Sequence, residues 1–363
     1  MNFRFAIISD PHVAVPHTIA HHTNRFHLVE VSIPALEKAL NHLEQSNLDF
    51  LILPGDLTQD GEPDNHRWLQ QRLQALPFPV YVVPGNHDVP TLHATDKNIG
   101  LNEFPQYYRH CGYQDNSLYY TQEILPGVQI IALNSNYFNQ QGQQLGYLDE
   151  EQLNWLEQLL PQIKDKLLLV MIHHNVIEHL PGQADHELGR RYMLDNADLL
   201  LKLLESANSQ LIFTGHLHVQ DIACHQNIYE ITTGSLVSYP HPYRIIEVQK
   251  KNNHPLTLNI SSHRVDSVPG WEKLAETSRQ WLGDRSFAFM VKLLTASPLR
   301  IPVAEAEELA PLLRDFWADI AAGDAIFDFP HFPPQARRYF QKFSAINADG
   351  TPALIDNHAT LHL

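Results

Sequence analysis

Short apolar runs recur along the chain, and each of them ends in polar residues. The runs cover residues 3–8, 50–53, 80–83, 128–133, 167–172 and 211–213. Such nearly continuous hydrophobic runs are typical of strands that are buried on both faces of a sheet. Helical patterns lie between them, at residues 28–43, 68–76, 148–160 and 199–204. Alternating strands and helices predict an α/β sandwich, with a functional site beyond the carboxyl ends of the strands.

The third helical pattern carries a start signal. Asp149 can cap its first turn, and Gln152 stands three residues later, where it can complete a capping box.

Further along, the strand-like runs 228–232 and 244–248 are separated by Gly234 and a Pro-His-Pro turn, which indicates antiparallel strands in a second sheet.

The pattern changes after His263. Residues 271–343 read as helical, with interruptions at prolines, and residues 345–363 are only weakly patterned. We therefore predict one domain at residues 1–265 and a helical C-terminal extension with a tail at 266–363. The extension can cover the site, pair two subunits into a homo-oligomer, or complete the core.

The acidic net charge of the chain restricts which macromolecules it is expected to bind. The chain has 363 residues with 41 acidic and 25 basic side chains, a formal net charge of −16. Nucleic acid and anionic membranes are bound chiefly through clustered Lys and Arg, so neither is an expected partner.

No apolar run approaches the length of a membrane span, and residues 1–10 do not resemble a signal peptide. Cys111 and Cys224 form no metal or disulfide motif, which favours a reduced cytoplasm.

Candidate metal ligands follow several of the predicted strands. Asp10 and His12 flank Pro11, which favours an extended Asp10 and would turn both side chains to the same side. His216 and His218 repeat this spacing after a later strand. The other candidates are Asp56, Asn86, and either His173 or its neighbour His174.

Each of these short motifs alone is compatible with an ordinary turn or a solvated histidine. Together they come from separate segments, and every one lies at the carboxyl end of a predicted strand. This places them at one edge of one sheet, which unrelated turns would not require. The joint pattern therefore predicts a metal site.

These motifs resemble the signature of the calcineurin-like metallophosphoesterases. The matching blocks are Asp10/His12, Gly55-Asp56, Gly85-Asn86-His87-Asp88, His173 and Gly215-His216-Leu217-His218. Their order and rough spacing match throughout residues 2–248. The resemblance implies a four-layer αββα sandwich, to which this chain adds the small C-terminal helical part.

The resemblance also implies two metal ions and their ligands. The first would be held by Asp10, His12 and His218, the second by Asn86, His173 and His216, with Asp56 bridging both. His173 is chosen over His174 because family members have their ligand there. Nitrogen and oxygen donors without thiolate suit Mn, Fe or Zn. Such ions activate a bridging hydroxide that attacks the phosphorus in line with the leaving oxygen.

His87 and Asp88 are the catalytic candidates. His87 would face the phosphate, stabilise the developing charge and protonate the leaving alkoxide. Asp88 would orient His87 by accepting a hydrogen bond from its other ring nitrogen, or would instead cap the following turn.

The details of the motifs favour phosphodiesters as substrates. Gly55-Asp56 lacks the Asp-Arg-Gly ending of Ser/Thr protein phosphatases, and residues 49–88 look like class III cyclic nucleotide phosphodiesterases and their glycerophosphodiesterase relatives. Relatives often carry Asp in place of Asn134. We expect hydrolysis of small phosphodiesters, with cyclic nucleotides as candidates. The alternatives are a phosphomonoesterase, a lipid or nucleic-acid phosphodiesterase, and a non-catalytic scaffold.

The first loop is unusually rich in histidine, with His17, His21, His22 and His27. Relatives have fewer histidines in this loop. These side chains either line the entrance of the site or, as we favour, are solvated loop residues.

Overall fold

The computed structural model describes residues 1–20, 25–250, 255–347 and 349–363. Its strands are β1 (Asn2–Ile7), β2 (Phe50–Leu53), β3 (Val80–Val82), β4 (Tyr120–Leu125), β5 (Val128–Ala132), β6 (Asn136–Phe138), β7 (Gln144–Gly146), β8 (Leu167–Met171), β9 (Leu211–Thr214), β10 (Asp221–His225), β11 (Ile228–Thr232), β12 (Pro242–Gln249), β13 (Thr257–Arg264) and β14 (His358–His362). Its α-helices are α1 (Ser32–Glu44), α2 (Pro63–Gln74), α3 (Phe104–Tyr107), α4 (Glu150–Ile163), α5 (Glu187–Arg190), α6 (Ala197–Ser206), α7 (Leu274–Thr295), α8 (Val303–Leu309), α9 (Phe316–Ala322) and α10 (Pro334–Gln341).

Two six-stranded sheets form the centre of the fold. The first has the order β14-β13-β12-β1-β2-β3 and the second the order β10-β11-β9-β8-β5-β4. Both sheets contain parallel strands: β1, β2 and β3 in the first, and β5, β8, β9 and β11 in the second. The runs at 228–232 and 244–248 became β11 and β12, which lie in different sheets. β11 pairs antiparallel with β10, and β12 pairs antiparallel with both β1 and β13.

The second sheet shows why its strands are apolar throughout. Ile130 and Phe213 point into the core shared with the first sheet, and the Phe213 ring meets Phe5 of β1 edge-on with 5.5 Å between ring centroids. Their neighbours Ile131 and Ile212 point the other way and pack with α4 and α6. Both faces of each strand are therefore buried, as side-chain alternation requires.

Helix α1 packs into the same core as the first sheet through Leu36, Leu40 and Leu43. With α4 and α6 on the second sheet, this gives the predicted α/β sandwich of two sheets covered by helices. The fold class expected from the sequence is confirmed.

The start of α4 is partly as predicted. The Asp149 carboxylate accepts a hydrogen bond from the backbone N–H of Gln152 at 2.8 Å, so the cap is present. The Gln152 side chain does not return to the cap, however. It pairs with both backbone groups of Asn134, at 2.8 and 2.9 Å, and so ties the helix to the end of β5. The predicted capping box was wrong, because a tertiary partner satisfies Gln152 instead.

The C-terminal region is helical from α7 to α10 and has its own apolar core. That core includes Leu217 and Val219 from the loop after β9, which joins it to the sandwich. The final residues form β14, which pairs antiparallel with β13 and buries Leu361, so part of the weakly patterned tail completes the first sheet. Within the described ranges, none of the helices is both long and apolar enough to cross a membrane.

Candidate metal centre

The loops that follow β1 and β2 run side by side. The backbone N–H of Asp10 donates to the carbonyl of Gly55 at 3.3 Å, and the N–H of His12 donates to the carbonyl of Asp56 at 3.0 Å. Because β1 and β2 are parallel neighbours, their carboxyl ends deliver these acidic and imidazole side chains to the same place. The first part of the site therefore follows directly from strand order.

The backbone at these positions is not extended. Asp10, His12, Asp56, His216 and His218 have φ angles of 47°, 40°, 48°, 67° and 60°. The expectation that extended i, i+2 spacing turns each pair to one side was therefore wrong. Non-glycine residues with positive φ are uncommon and cluster at functional sites, where the surrounding structure enforces them. Here the hydrogen bonds between neighbouring loops provide that enforcement.

One group of donor atoms consists of Asp10, His12, Asp56 and His218, whose ligand atoms lie within 4.8 Å of one another. The Nε2 atom of His218 is 3.3 Å from Asp10 Oδ1 and 3.3 Å from His12 Nε2. His12 Nε2 is in turn 3.8 Å from Asp56 Oδ2.

A second group consists of Asp56, His173 and His216. His173 Nε2 lies 3.4 Å from Asp56 Oδ2 and 3.1 Å from the side-chain oxygen of Asn86. His173 and His216 follow β8 and β9 of the second sheet, whereas Asp56 and Asn86 follow β2 and β3 of the first. The site thus lies between two sheets, and the expectation of one edge of one sheet was wrong.

The two groups fit two divalent metal ions. Asp56 belongs to both groups, while His218 belongs to the first group and His216 to the second. Burial lowers the pKa of His12 and of His216 well below the usual value, so both rings are neutral. Burial opposes ionisation of Asp56, but the surrounding histidines, His173 first among them, hold its pKa well below its usual range. Neutral imidazoles and an ionised carboxylate are the protonation states that metal binding requires.

Hydrogen bonds orient the imidazole of His173. Its Nδ1–H donates to the carbonyl of Pro54 at 2.8 Å, which leaves Nε2 facing Asp56. Metal-binding histidines are commonly fixed in this way by a carbonyl on the other ring nitrogen. Burial lowers the pKa of His173, but the Asp56 carboxylate outweighs it and raises the pKa to about 9, an attraction that a bound cation would replace.

His87 lies beside both groups at the mouth of the site, and about one third of its side chain is exposed. Its Nδ1–H donates to the carbonyl of Gln59 at 2.7 Å, and the Asp60 carboxylate is 3.6 Å away. Burial lowers the pKa of His87, but Asp56 and these two contacts outweigh it and raise the pKa to about 10.

Asp88 does not contact His87 as predicted. Its buried carboxylate accepts hydrogen bonds from the backbone N–H groups of Gly85, Leu57 and Thr58 and from the Thr58 hydroxyl, all between 2.8 and 3.0 Å. The backbone carbonyl of Gln59 takes the place that we expected for Asp88. Asp88 is therefore a positioning residue that ties together the loops bearing Asp56 and Asn86.

Replacing Asp88 by Ala should lower the stability of the protein, because several buried donors lose their acceptor. Each unsatisfied donor costs about 1–3 kcal/mol, so we expect a loss of at least about 2 kcal/mol in the free energy of unfolding. Urea unfolding measures this loss, and Asp64→Ala, at a half-exposed position in the first turn of α2, is the matched control. A variant with unchanged stability but reduced kcat would instead support the orienting role.

The histidines of the first loop have different surroundings. His27 lies inside the site, stacked on His12 with 4.5 Å between ring centroids, and its Nε2 atom is 3.0 Å from Gln59 Oε1. The interpretation of His27 as a solvated loop residue was wrong. His17 is exposed and pairs with Asp64, while His21 and His22 lie outside the described residues.

His174, the alternative to His173, belongs to neither donor group. Its Nδ1 atom is hydrogen-bonded to the Ser135 hydroxyl at 2.7 Å, and its ring lies 4.4 Å from that of His216. His174 therefore packs against the ring of His216 and helps to hold it in position.

Two glycines are required because the ligands approach the backbone closely. A Cβ atom at Gly85 would collide with the Asp56 carboxylate, and one at Gly215 would collide with Ser9 and Asp10. These contacts explain why the motif residues before Asn86 and His216 have no side chain.

Glu230 supports the second group and was missed by the sequence analysis. Its fully buried carboxylate accepts hydrogen bonds from the N–H groups of Val176 and Ile177 and from the Thr214 hydroxyl, at 2.6 to 2.9 Å. These contacts hold the loop that begins with His173. Burial lowers the pKa of His179, but the carboxylates of Glu230 and Asp221 outweigh this effect and raise the pKa to about 10. The protonated ring therefore forms an ion pair that fixes the end of this loop. Glu230 is an isolated acidic residue within a strand, which gave no sequence signal.

This fold and this donor set define a metal-dependent phosphoester hydrolase. The family model of the calcineurin-like phosphoesterases matches residues 3–220, and the chain belongs to that family. The resemblance inferred from the motifs is thus confirmed.

Known relatives extend the comparison. A probable glycerophosphodiester phosphodiesterase of Arcobacter nitrofigilis is 29% identical over 234 residues, which cover 63% of this chain and 76% of the relative. A 3',5'-cyclic-nucleotide phosphodiesterase of Nostoc sp. is 26% identical over 205 residues, covering 56% of this chain and 68% of the relative. Among solved structures, a dimetal phosphatase from Danio rerio matches with a TM-score of 0.51 at 16% identity, over 72% of this chain and 96% of that one. This last likeness supports the fold alone.

Proposed function

We propose that this protein is a dimetal phosphodiesterase that hydrolyses small phosphodiesters. The observation that carries the proposal is the pair of donor groups that share Asp56 at the wall of one cavity. In this proposal Asp10, His12 and His218 would hold one ion, Asn86, His173 and His216 would hold the other, and Asp56 would be shared by both. The names of the relatives, which include glycerophosphodiester and cyclic nucleotide phosphodiesterases, agree with this substrate class.

The donor set also guides the choice of metal. It combines imidazole nitrogens with carboxylate and amide oxygens and includes no thiolate among the described residues. We propose Mn, Fe or Zn, since Ca prefers oxygen donors alone. When bound, such ions activate water as a nucleophile and withdraw charge from the phosphoryl oxygens.

The side chain of His87 supplies the acid. Its Nδ1–H is committed to the Gln59 carbonyl, so Nε2 is the atom free to meet the substrate. Nε2–H would donate to the oxygen that leaves phosphorus and transfer its proton as the bond breaks. Gln59 and Asp60 stabilise the protonated ring from the opposite side.

The cationic side chains favour a singly charged diester over a dianionic monoester. Among the described residues that line the cavity, Arg25 is already paired with Glu30, with an N–O distance of 2.6 Å. Arg190 and Arg191 are exposed at its rim. Apart from the proposed metal ions and His87, the described lining offers few cationic side chains that could neutralise the second charge of a monoester.

The remaining proposals concern the setting of the protein. We propose that residues 1–265 form the phosphoesterase domain and that 266–363 form an extension whose helices cover the cavity, while its last strand, β14, completes the first sheet. A cytoplasmic location agrees with the free thiols of Cys111 and Cys224. The net charge of −16 argues against nucleic acid as a partner, and a homo-oligomer remains a proposal that light scattering would test.

Parallel assays on bis-p-nitrophenyl phosphate and p-nitrophenyl phosphate test the function. We expect the metal-free protein to be inactive and the protein loaded with Mn, Fe or Zn to hydrolyse the diester with the larger kcat/KM. A preference for the monoester would favour a phosphomonoesterase. Folded, metal-loaded protein without turnover of any diester would contradict the proposal.

A further inference from the structure

One cavity of about 640 Å³ extends from the metal-ligand cluster to the C-terminal helices. At one end it is lined by Asp56, Asn86 and His87, and at the other by side chains of α7, α9 and α10 and of the residues just after α10. Its volume is in the range of pockets that hold a ligand of drug size, about 300–1,000 Å³. The cavity therefore has room for more than a phosphate group.

The wall formed by the C-terminal helices is apolar and well supported. It includes Phe289, Met290, Leu293, Phe316, Trp317 and Phe343. Met290 and Phe316 are buried in the C-terminal core, and Phe289 contacts Trp317 edge-on at 5.7 Å between ring centroids. The wall is thus preformed by packing within the C-terminal region and lines the same cavity as the metal-ligand cluster.

Among the described residues, the wall formed by the C-terminal helices presents few polar atoms to the cavity. The Ser286 hydroxyl already donates to the carbonyl of Gly283 at 2.8 Å, so Tyr339 and Trp317 contribute the remaining hydroxyl and N–H groups. A nucleobase edge or a glycerol lying against this wall would lose hydrogen bonds to water without full replacement, which is costly. A hydrocarbon chain would gain by leaving water.

We propose that the substrate carries a hydrocarbon chain on one of its two ester substituents and that this chain lies along the wall formed by α7, α9 and α10. This inference rests on the proposed phosphodiesterase function and defines its substrate class as acylated or alkylated phosphodiesters. The wall provides affinity for the chain, and the metal centre acts on the phosphate to which the chain is attached.

Methyl p-nitrophenyl phosphate and octyl p-nitrophenyl phosphate provide a direct comparison, because they share the leaving group and differ only in the chain. Both are assayed with metal-loaded protein at concentrations below micelle formation. Burial of a CH₂ group contributes about 0.8 kcal/mol, so even partial burial of the octyl chain should raise kcat/KM by about tenfold or more.

Phe289 and Phe287 form a matched pair on α7. Phe289 lines the cavity, whereas Phe287 is 48% exposed and is not among the residues that line it. Phe289→Asn should lower the ratio of octyl to methyl kcat/KM toward one, whatever its effect on the methyl diester alone. Phe287→Asn should change neither rate. The methyl diester also reports whether each variant is folded and active.

The outcomes separate the two levels of the proposal. Equal kcat/KM for both diesters in wild-type protein that hydrolyses the methyl compound would overturn the hydrocarbon site and leave the phosphodiesterase in place. A chain-length preference that Phe289→Asn and Phe287→Asn reduce equally would also overturn it. If metal-loaded protein hydrolyses neither diester, the proposed function fails, and the substrate class fails with it.

Discussion

His87→Ala should lower kcat by about 10²–10⁴-fold on a diester with an alkoxide leaving group, such as glycerophosphoethanolamine. An alkoxide needs a proton as it leaves, and the Nε2 atom of His87 can provide it at the mouth of the site because Nδ1 is held by the Gln59 carbonyl. The loss should be smaller on bis-p-nitrophenyl phosphate, because p-nitrophenolate leaves without full protonation. The ratio of wild-type to variant kcat on the two substrates therefore measures proton donation itself.

The metal content of His87→Ala should remain that of the wild type. The contact between residue 87 and the Asp56 carboxylate is made by the backbone N–H, at 2.8 Å, and survives the substitution. His17→Ala is the matched control, since His17 is an exposed histidine of the first loop that pairs only with Asp64 among described residues. Equal losses on the two substrates would rule out the acid role and leave electrostatic stabilisation as the function of His87.

Much of the sandwich could be predicted from local sequence, for a physical reason. β2 was predicted at its observed bounds, and β1, β5 and β8 end within one residue of the expected position. These strands are buried on both faces, so each one is a continuous apolar run that stops where polar side chains begin. The polar residues that follow each run mark the carboxyl end of the strand, which is why the candidate ligands could be found from the sequence.

The last two strands of the chain, β13 and β14, were harder to predict. β13 has the sequence TLNISSHR, in which only alternate residues are buried, and β14 is mostly exposed. Their pairing is stabilised by the neighbouring strand and by burial of Leu258 and Leu361, which are distant in sequence. A short polar segment carries no local signal for such a contact.

The geometry of the ligands also depends on tertiary contacts. The positive φ angles of Asp10 and His12 arise where two loops exchange backbone hydrogen bonds, and nothing in Asp10-Pro11-His12 alone favours them. Asp88 was expected to orient His87 or to cap the following turn, yet its oxygens accept hydrogen bonds from N–H groups of another loop, which no sequence pattern reveals. Residue identity could be predicted here, whereas contacts could not.

Asp56→Asn should produce the largest loss at the metal centre. Asp56 Oδ2 is 3.8 Å from His12 Nε2 and 3.4 Å from His173 Nε2, and among described residues no other carboxylate belongs to both donor groups. Asparagine keeps the shape and removes the charge that two cations would share. Residues that only support metal ligands cost about 10–100-fold in affinity or activity when mutated, so loss of a shared ligand should exceed about 100-fold.

Metal analysis after dialysis distinguishes this prediction from a purely catalytic defect. Wild type should retain two ions per chain, whereas Asp56→Asn should retain one or none and lose activity in proportion. Asp60→Asn removes a carboxylate from the same loop but from outside both donor groups, so it should keep the wild-type metal content. If Asp56→Asn kept both ions with unchanged affinity, the bridging assignment would be wrong, and the two donor groups would act as independent sites that share only their location.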